Sequence, residues 1–185
     1  MELAYLHLVT NHLPIIGVPF ALVLLAIGLW RRSDEIKAVS FLVFIVLGIV
    51  SVVVFLLGQG GEDFVEDLAG VSHDLIEDHE GIAKIALAST LILSGMSAFA
   101  LLRYKGLGLL KPRFRKGDVG PTPTVSLFPT WIVIAVLALA MLTSAILGYT
   151  GRLGGKIRHP EFHDGAAVEQ EHDGDDGGRR NRGRR

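Results

Sequence analysis

The stretch Ala38-Val-Ser-Phe-Leu-Val-Phe-Ile-Val-Leu-Gly-Ile-Val-Ser-Val-Val-Val-Phe-Leu-Leu57 decides the fold, because it runs for twenty residues without a charge. At about 1.5 Å per residue it crosses a hydrocarbon core of ~30 Å as a helix. Three more apolar runs lie on either side of it. The first covers residues 3–30, and its inner part, 13–30, is uncharged. It opens on Glu2 and closes on Trp30-Arg31-Arg32. A secretory signal opens basic and ends in a small-residue cleavage site, so this run is expected to stay as a helix. The third span begins near His73 with acidic turns and is apolar over 81–102, interrupted only by Lys84, which follows Glu80 by one helical turn and can pair with it or snorkel. The fourth covers about 127–149. The expected fold is an all-α transmembrane four-helix bundle over residues 1–163.

Composition agrees. Half of the 185 residues are apolar, with long unbroken runs rather than the shorter patterned ones of a soluble core. Cysteine is absent, which removes disulfides, Cys-ligated zinc, iron-sulfur clusters and covalent c-type haem. No phosphate-binding loop or nucleophile and base arrangement is present, and nothing points to a nucleic-acid partner.

The connections carry the punctuation. Gly58-Gln-Gly-Gly61 is expected to end the second span, before an acidic connection holding Glu62, Asp63, Glu66, Asp67, Asp74, Glu77, Asp78 and Glu80. Within it, Phe64, Val65 and Leu68 predict a short interfacial helix ending at Gly70, with Ser72 as the N-cap of the next helix. Pro14 sits near the start of the first span and Pro19 deeper, predicting a bend around 17–19. The other two loops are basic: Arg31, Arg32 and Lys37, then Arg103, Lys105, Lys111, Arg113, Arg115 and Lys116 against Asp118. By the positive-inside rule both face the cytoplasm of a bacterial inner membrane, with both termini and the acidic connection on the periplasmic side. The Gly-rich charged tail, 164–185, is expected to be disordered.

All seven histidines then fall at the outer end or beyond it. His7 and His12 in His7-Leu-Val-Thr-Asn-His12-Leu-Pro14 are five residues apart, a turn of roughly 140° and a rise of about 7.5 Å, so they serve separate sites or play separate roles. Imidazoles from facing helices, beside small residues such as Gly81, Ala83 and Ala86, suit haem b. Arg152, Lys156 and Arg158 stand where propionates, or lipid phosphates, would lie. A direct metal site for zinc, copper or di-iron could instead draw on His79, His73 and His12 with Glu77, Asp78 and Glu80, although the repeated Glu-x-x-His of di-iron bundles is absent. His159 and His163 have helical metal spacing, but Pro160 lies between them. A cofactor-free structural subunit of a respiratory or photosynthetic complex is the third reading. From Gly148 the chain reads Gly-Tyr-Thr-Gly-Arg-Leu-Gly-Gly-Lys-Ile-Arg-His159, glycines that let a backbone or a flat ligand come close.

The chain resembles a family of small bacterial four-helix membrane proteins related to the two-haem membrane cytochromes b. Members open with His-Pro-x-x-x-His-Phe-Pro, carry a histidine on the third helix and close with Gly-Gly followed shortly by histidine. The matching stretches are His7 to Pro14, His79, and Gly154-Gly-Lys-Ile-Arg-His159, with Leu8 and Leu13 replacing the usual Pro and Phe. The resemblance implies one or two haems b near the outer face, His12 with His79 as the first axial pair and His7 with His159 as the second. It also implies an electron-transfer or accessory subunit rather than a stand-alone enzyme. Its partners would be membrane lipids, other subunits, a quinone or a periplasmic cytochrome.

Overall fold

The computed structural model describes residues 2–66, 73–104, 108 and 126–158. Five helices make four spans: α1 (Glu2–Thr10), α2 (His12–Trp30), α3 (Asp34–Glu66), α4 (His73–Arg103) and α5 (Thr130–Arg158). All four spans are long and apolar enough to cross a membrane, α1 and α2 together forming the first. The spans run alternately up and down. Ala4 and His7 lie against the C-terminal part of α3, and His79 lies against that of α5. At the opposite end Lys37 of α3 reaches Ser126, just before α5. These are called the histidine end and the arginine end below.

Inside, the bundle packs Leu25, Phe41, Phe44 and Leu93 among small and hydroxyl-bearing residues, and other large apolar side chains cover its outside. On α3, Val39, Leu42, Val46, Ile49, Val53 and Leu56 are exposed at alternating steps of three and four residues, a continuous stripe suited to lipid. On α4 the buried face includes Ala86, Ser89, Thr90, Ser97 and Ala100. Small residues let helices approach in a solvent that offers no hydrophobic drive between them. Their hydroxyls are satisfied along their own helix, as in Thr90 to Ala86 and Ser97 to Leu93. Gly48 shows how close the approach is: a β-carbon there would stand 2.5 Å from the Cβ of Ser94.

Three expectations are corrected. Gly58-Gln-Gly-Gly61 does not end a helix, since α3 runs through it to Glu66. Phe64 and Val65 therefore belong to α3 and not to a separate interfacial helix, while Leu68, Gly70 and Ser72 lie outside the described residues. Those glycines form a seat: β-carbons at Gly58, Gly60 and Gly61 would meet His7, Leu3 and Ala4 of α1 at 2.9 Å each. Likewise α5 continues through Gly148 and Gly151 to Arg158. In the first span α1 and α2 meet at Asn11, and α2 runs on through Pro19. Pro14, three residues after Asn11, has no N–H for the Thr10 carbonyl and its ring crowds that carbonyl, which separates α1 from α2.

The arginine end is closed by a built network. Lys37, only 3% exposed, gives its ammonium to Asp34 Oδ1 at 2.9 Å and to Ser126 Oγ at 3.0 Å. Ser126 Oγ donates to the same carboxylate, whose other oxygen accepts from the Leu127 N–H. Phe128 then packs edge-on against Phe41 at 5.1 Å and Tyr104 at 6.3 Å, joining α3, α4 and the entry to α5. Between α2 and α3, Ser33 N–H donates to Gly28 O and Arg32 N–H to Leu29 O. This Schellman ending places Arg32 at φ 53°, in the left-handed region usually given to glycine, where a β-carbon costs roughly 1–2 kcal/mol.

Candidate functional site

The histidine end is organised by two imidazoles, each held by a neighbouring helix in the same way. His7 of α1 donates from Nδ1 to the Val54 carbonyl of α3 at 2.9 Å, and its ring lies on Gly58, four residues further along that helix. His79 of α4 donates from Nδ1 to the Thr150 carbonyl of α5 at 3.2 Å, and its ring lies on Gly154, again four residues further along. A β-carbon at Gly58 would be 2.9 Å from His7 Cε1, and one at Gly154 would be 3.2 Å from His79 Cε1. Each glycine therefore clears the place where a ring reaches a carbonyl one turn back. Both rings are half-buried.

The tautomer follows from the partners. A carbonyl oxygen can only accept, so the proton sits on Nδ1 and the lone pair of each neutral ring is on Nε2. This is the arrangement that orients a metal-ligating imidazole and raises its basicity. In this respect the two residues fit axial ligation of a haem iron.

The other expected residues fall differently. His12 is exposed and its Nδ1 donates at 3.0 Å to Leu8 O, one turn back across the break at Asn11, so its ring is turned along its own span. The physical reason is the angle between positions 7 and 12: α1 commits the His7 face to α3, which leaves His12 facing outward. His159, proposed to pair with His7, lies outside the described residues, as do His163 and His172. Arg152 and Lys156 project from the exposed side of the last turns of α5, and Arg158 ends that helix. His73 is exposed at the start of α4. Among the described residues, no group of three or more histidines and carboxylates converges as a direct metal site.

Sequence reasoning passed over Asn11. Its Oδ1 is buried without a hydrogen-bond partner among the described residues, an arrangement that costs of the order of 1–3 kcal/mol. It is four residues after His7 and so shares its helix face, a signal that periodicity could have supplied. At the same end, an open groove of about 550 Å³ runs between α4 and α5, lined by residues that include Glu77, Asp78, Glu80, Lys84, Tyr149 and Leu153 but neither imidazole. Glu80 and Lys84 pair across one turn at 2.9 Å, as their spacing predicts.

No protein family matches this chain. Nor does any curated protein or solved structure. What the site can do is therefore argued from its own residues.

Proposed function

We propose that the chain is a membrane-embedded haem b electron-transfer or accessory subunit, its site at the histidine end and that end on the periplasmic side of a bacterial inner membrane. One observation carries this reading: two half-buried imidazoles from different spans each spend Nδ1 on a neighbouring helix's carbonyl and keep the Nε2 lone pair. The axial pair proposed is accordingly His7 with His79, in place of His12 with His79. A bound haem b would supply reversible one-electron chemistry. The chain's own residues hold and orient: the Val54 and Thr150 carbonyls fix the rings, while Gly58 and Gly154 leave them room. Exposed Glu77 and Asp78 make the mouth acidic, favouring encounter with a basic partner such as a small soluble cytochrome.

The absorption spectrum of the full chain, purified from cells supplied with haem, tests this. A Soret band is expected, lost in His7→Ala and in His79→Ala and kept in His12→Ala. No band in the parent protein, or a band that survives both substitutions, overturns it.

The tight seat of each ring on its glycine favours a second reading, a cofactor-free structural subunit in which the imidazoles are interhelical staples. That reading predicts that His7→Ala and His79→Ala lower stability while the protein never carries a chromophore. The zinc, copper or di-iron alternative has two half-buried imidazoles at one end of the bundle but lacks a group of three or more donors among the described residues.

A further inference from the structure

The turn between α2 and α3 breaks a local rule. Its left-handed position holds Arg32 where glycine would relieve the backbone, and the preceding residue is a second exposed arginine, Arg31. Trp30 beside them is 83% exposed, the most exposed large apolar side chain described. Neither arginine has a side-chain partner among the described residues; of the two acids that follow in the chain, Asp34 is committed to Lys37 and Ser126, and Glu35 is engaged elsewhere. A strained residue persists where its side chain has work that glycine cannot do. Arg31 and Arg32 lie at the end of an apolar span, next to an indole of the kind that settles at the level of lipid headgroups. Two guanidiniums there present planar forks of donors suited to phosphate oxygens.

We propose that Trp30, Arg31 and Arg32 form a binding site for the headgroup of an anionic phospholipid. Arg32 grips the phosphate from its left-handed perch, Arg31 adds a second fork, and the Trp30 indole packs on the glycerol and upper acyl region. Selectivity for net negative charge follows because the site holds two cations and no free acid among its own three residues. The site stands on the turn alone and is independent of what the histidines bind.

The full chain carrying Trp131→Phe, so that Trp30 is the sole tryptophan, is reconstituted in phosphatidylcholine vesicles containing brominated phosphatidylglycerol or brominated phosphatidylcholine. Quenching of Trp30 is expected to be stronger by the anionic lipid. That preference should fall about fivefold in Arg32→Gly, comparably in Arg31→Gln, and vanish in the double variant. In phosphatidylcholine alone, Arg32→Gly should unfold at the same temperature as the parent or higher, because glycine relaxes the turn. Equal quenching by both lipids, or a preference that survives the double variant, overturns the proposal. So does a lower unfolding temperature of Arg32→Gly in phosphatidylcholine, which would make Arg32 a structural residue. Inorganic phosphate at the ionic strength of a chloride control should leave the preference intact; its abolition by phosphate alone would assign the site to a soluble anion instead.

Discussion

The two ends of the bundle are joined by opposite means. At the arginine end a buried ammonium, a carboxylate, a hydroxyl and a backbone N–H spend their hydrogen-bonding capacity on one another, and three aromatic rings seal the joint. At the histidine end two single bonds from imidazoles to carbonyls tie neighbouring spans together, and each ring keeps a nitrogen in reserve. Asn11 adds a buried acceptor with no donor among the described residues. The first end has the chemistry of a clamp. The second holds its groups in place without using them up.

This contrast can be broken experimentally. The largest effect should come from Asp34→Ala, which strands Lys37 as a buried, uncompensated charge; about 3–5 kcal/mol of stability should be lost. Thermal unfolding in detergent measures it, and a loss well under 1 kcal/mol would show that the clamp is not what closes this end. Next comes Gly58→Val, whose branched side chain would need the space of the His7 ring. Overpacking of this kind costs about 1–3 kcal/mol and should lift α1 from α3, seen as faster proteolysis near the N-terminus.

His7→Ala and His79→Ala each remove one net hydrogen bond, for about 0.5–1.5 kcal/mol in the cofactor-free protein. His12→Ala, whose ring bonds within its own segment and is exposed, should fall below either. If His12→Ala proves the most damaging of the three, the division between the histidines is wrong. The smallest effect belongs to Lys84→Gln. Its pair with Glu80 is half exposed to solvent, and an exposed pair of this spacing contributes about 0.3–0.5 kcal/mol. A shift too small to separate from the parent is the expected result at high salt.

The spans were legible because an uncharged run of twenty residues has few other homes. The ends of the spans were not, and glycine is the reason. Gly58, Gly60 and Gly61 look like a terminator when only local propensity is weighed, yet in the fold they are the floor on which α1 lies. That use depends on a helix fifty residues away, which no local pattern reports. The same limit governs the site. Periodicity correctly sends His7 and His12 to different faces of their own segment, but it says nothing about which helix stands opposite each face. Sequence therefore paired His79 with His12, whereas in the fold His7 and His79 are the two rings held by neighbouring helices and His12 is exposed. The clamp was half legible: Asp34 and Lys37 have the spacing of a helical ion pair, but a lysine at the head of an apolar span reads as a loop charge until Ser126 is seen beside it.

Lys37 also sets a clock on synthesis. Its second partner is encoded 89 positions downstream, so the growing chain makes α3 and α4 before the hydroxyl that completes this ammonium's shell exists. Until the ribosome has passed that point, Asp34 alone must shield the charge. The last span to emerge is thus the one that locks the second, and a nascent chain halted in the basic loop would hold its helices without the bolt that fastens them.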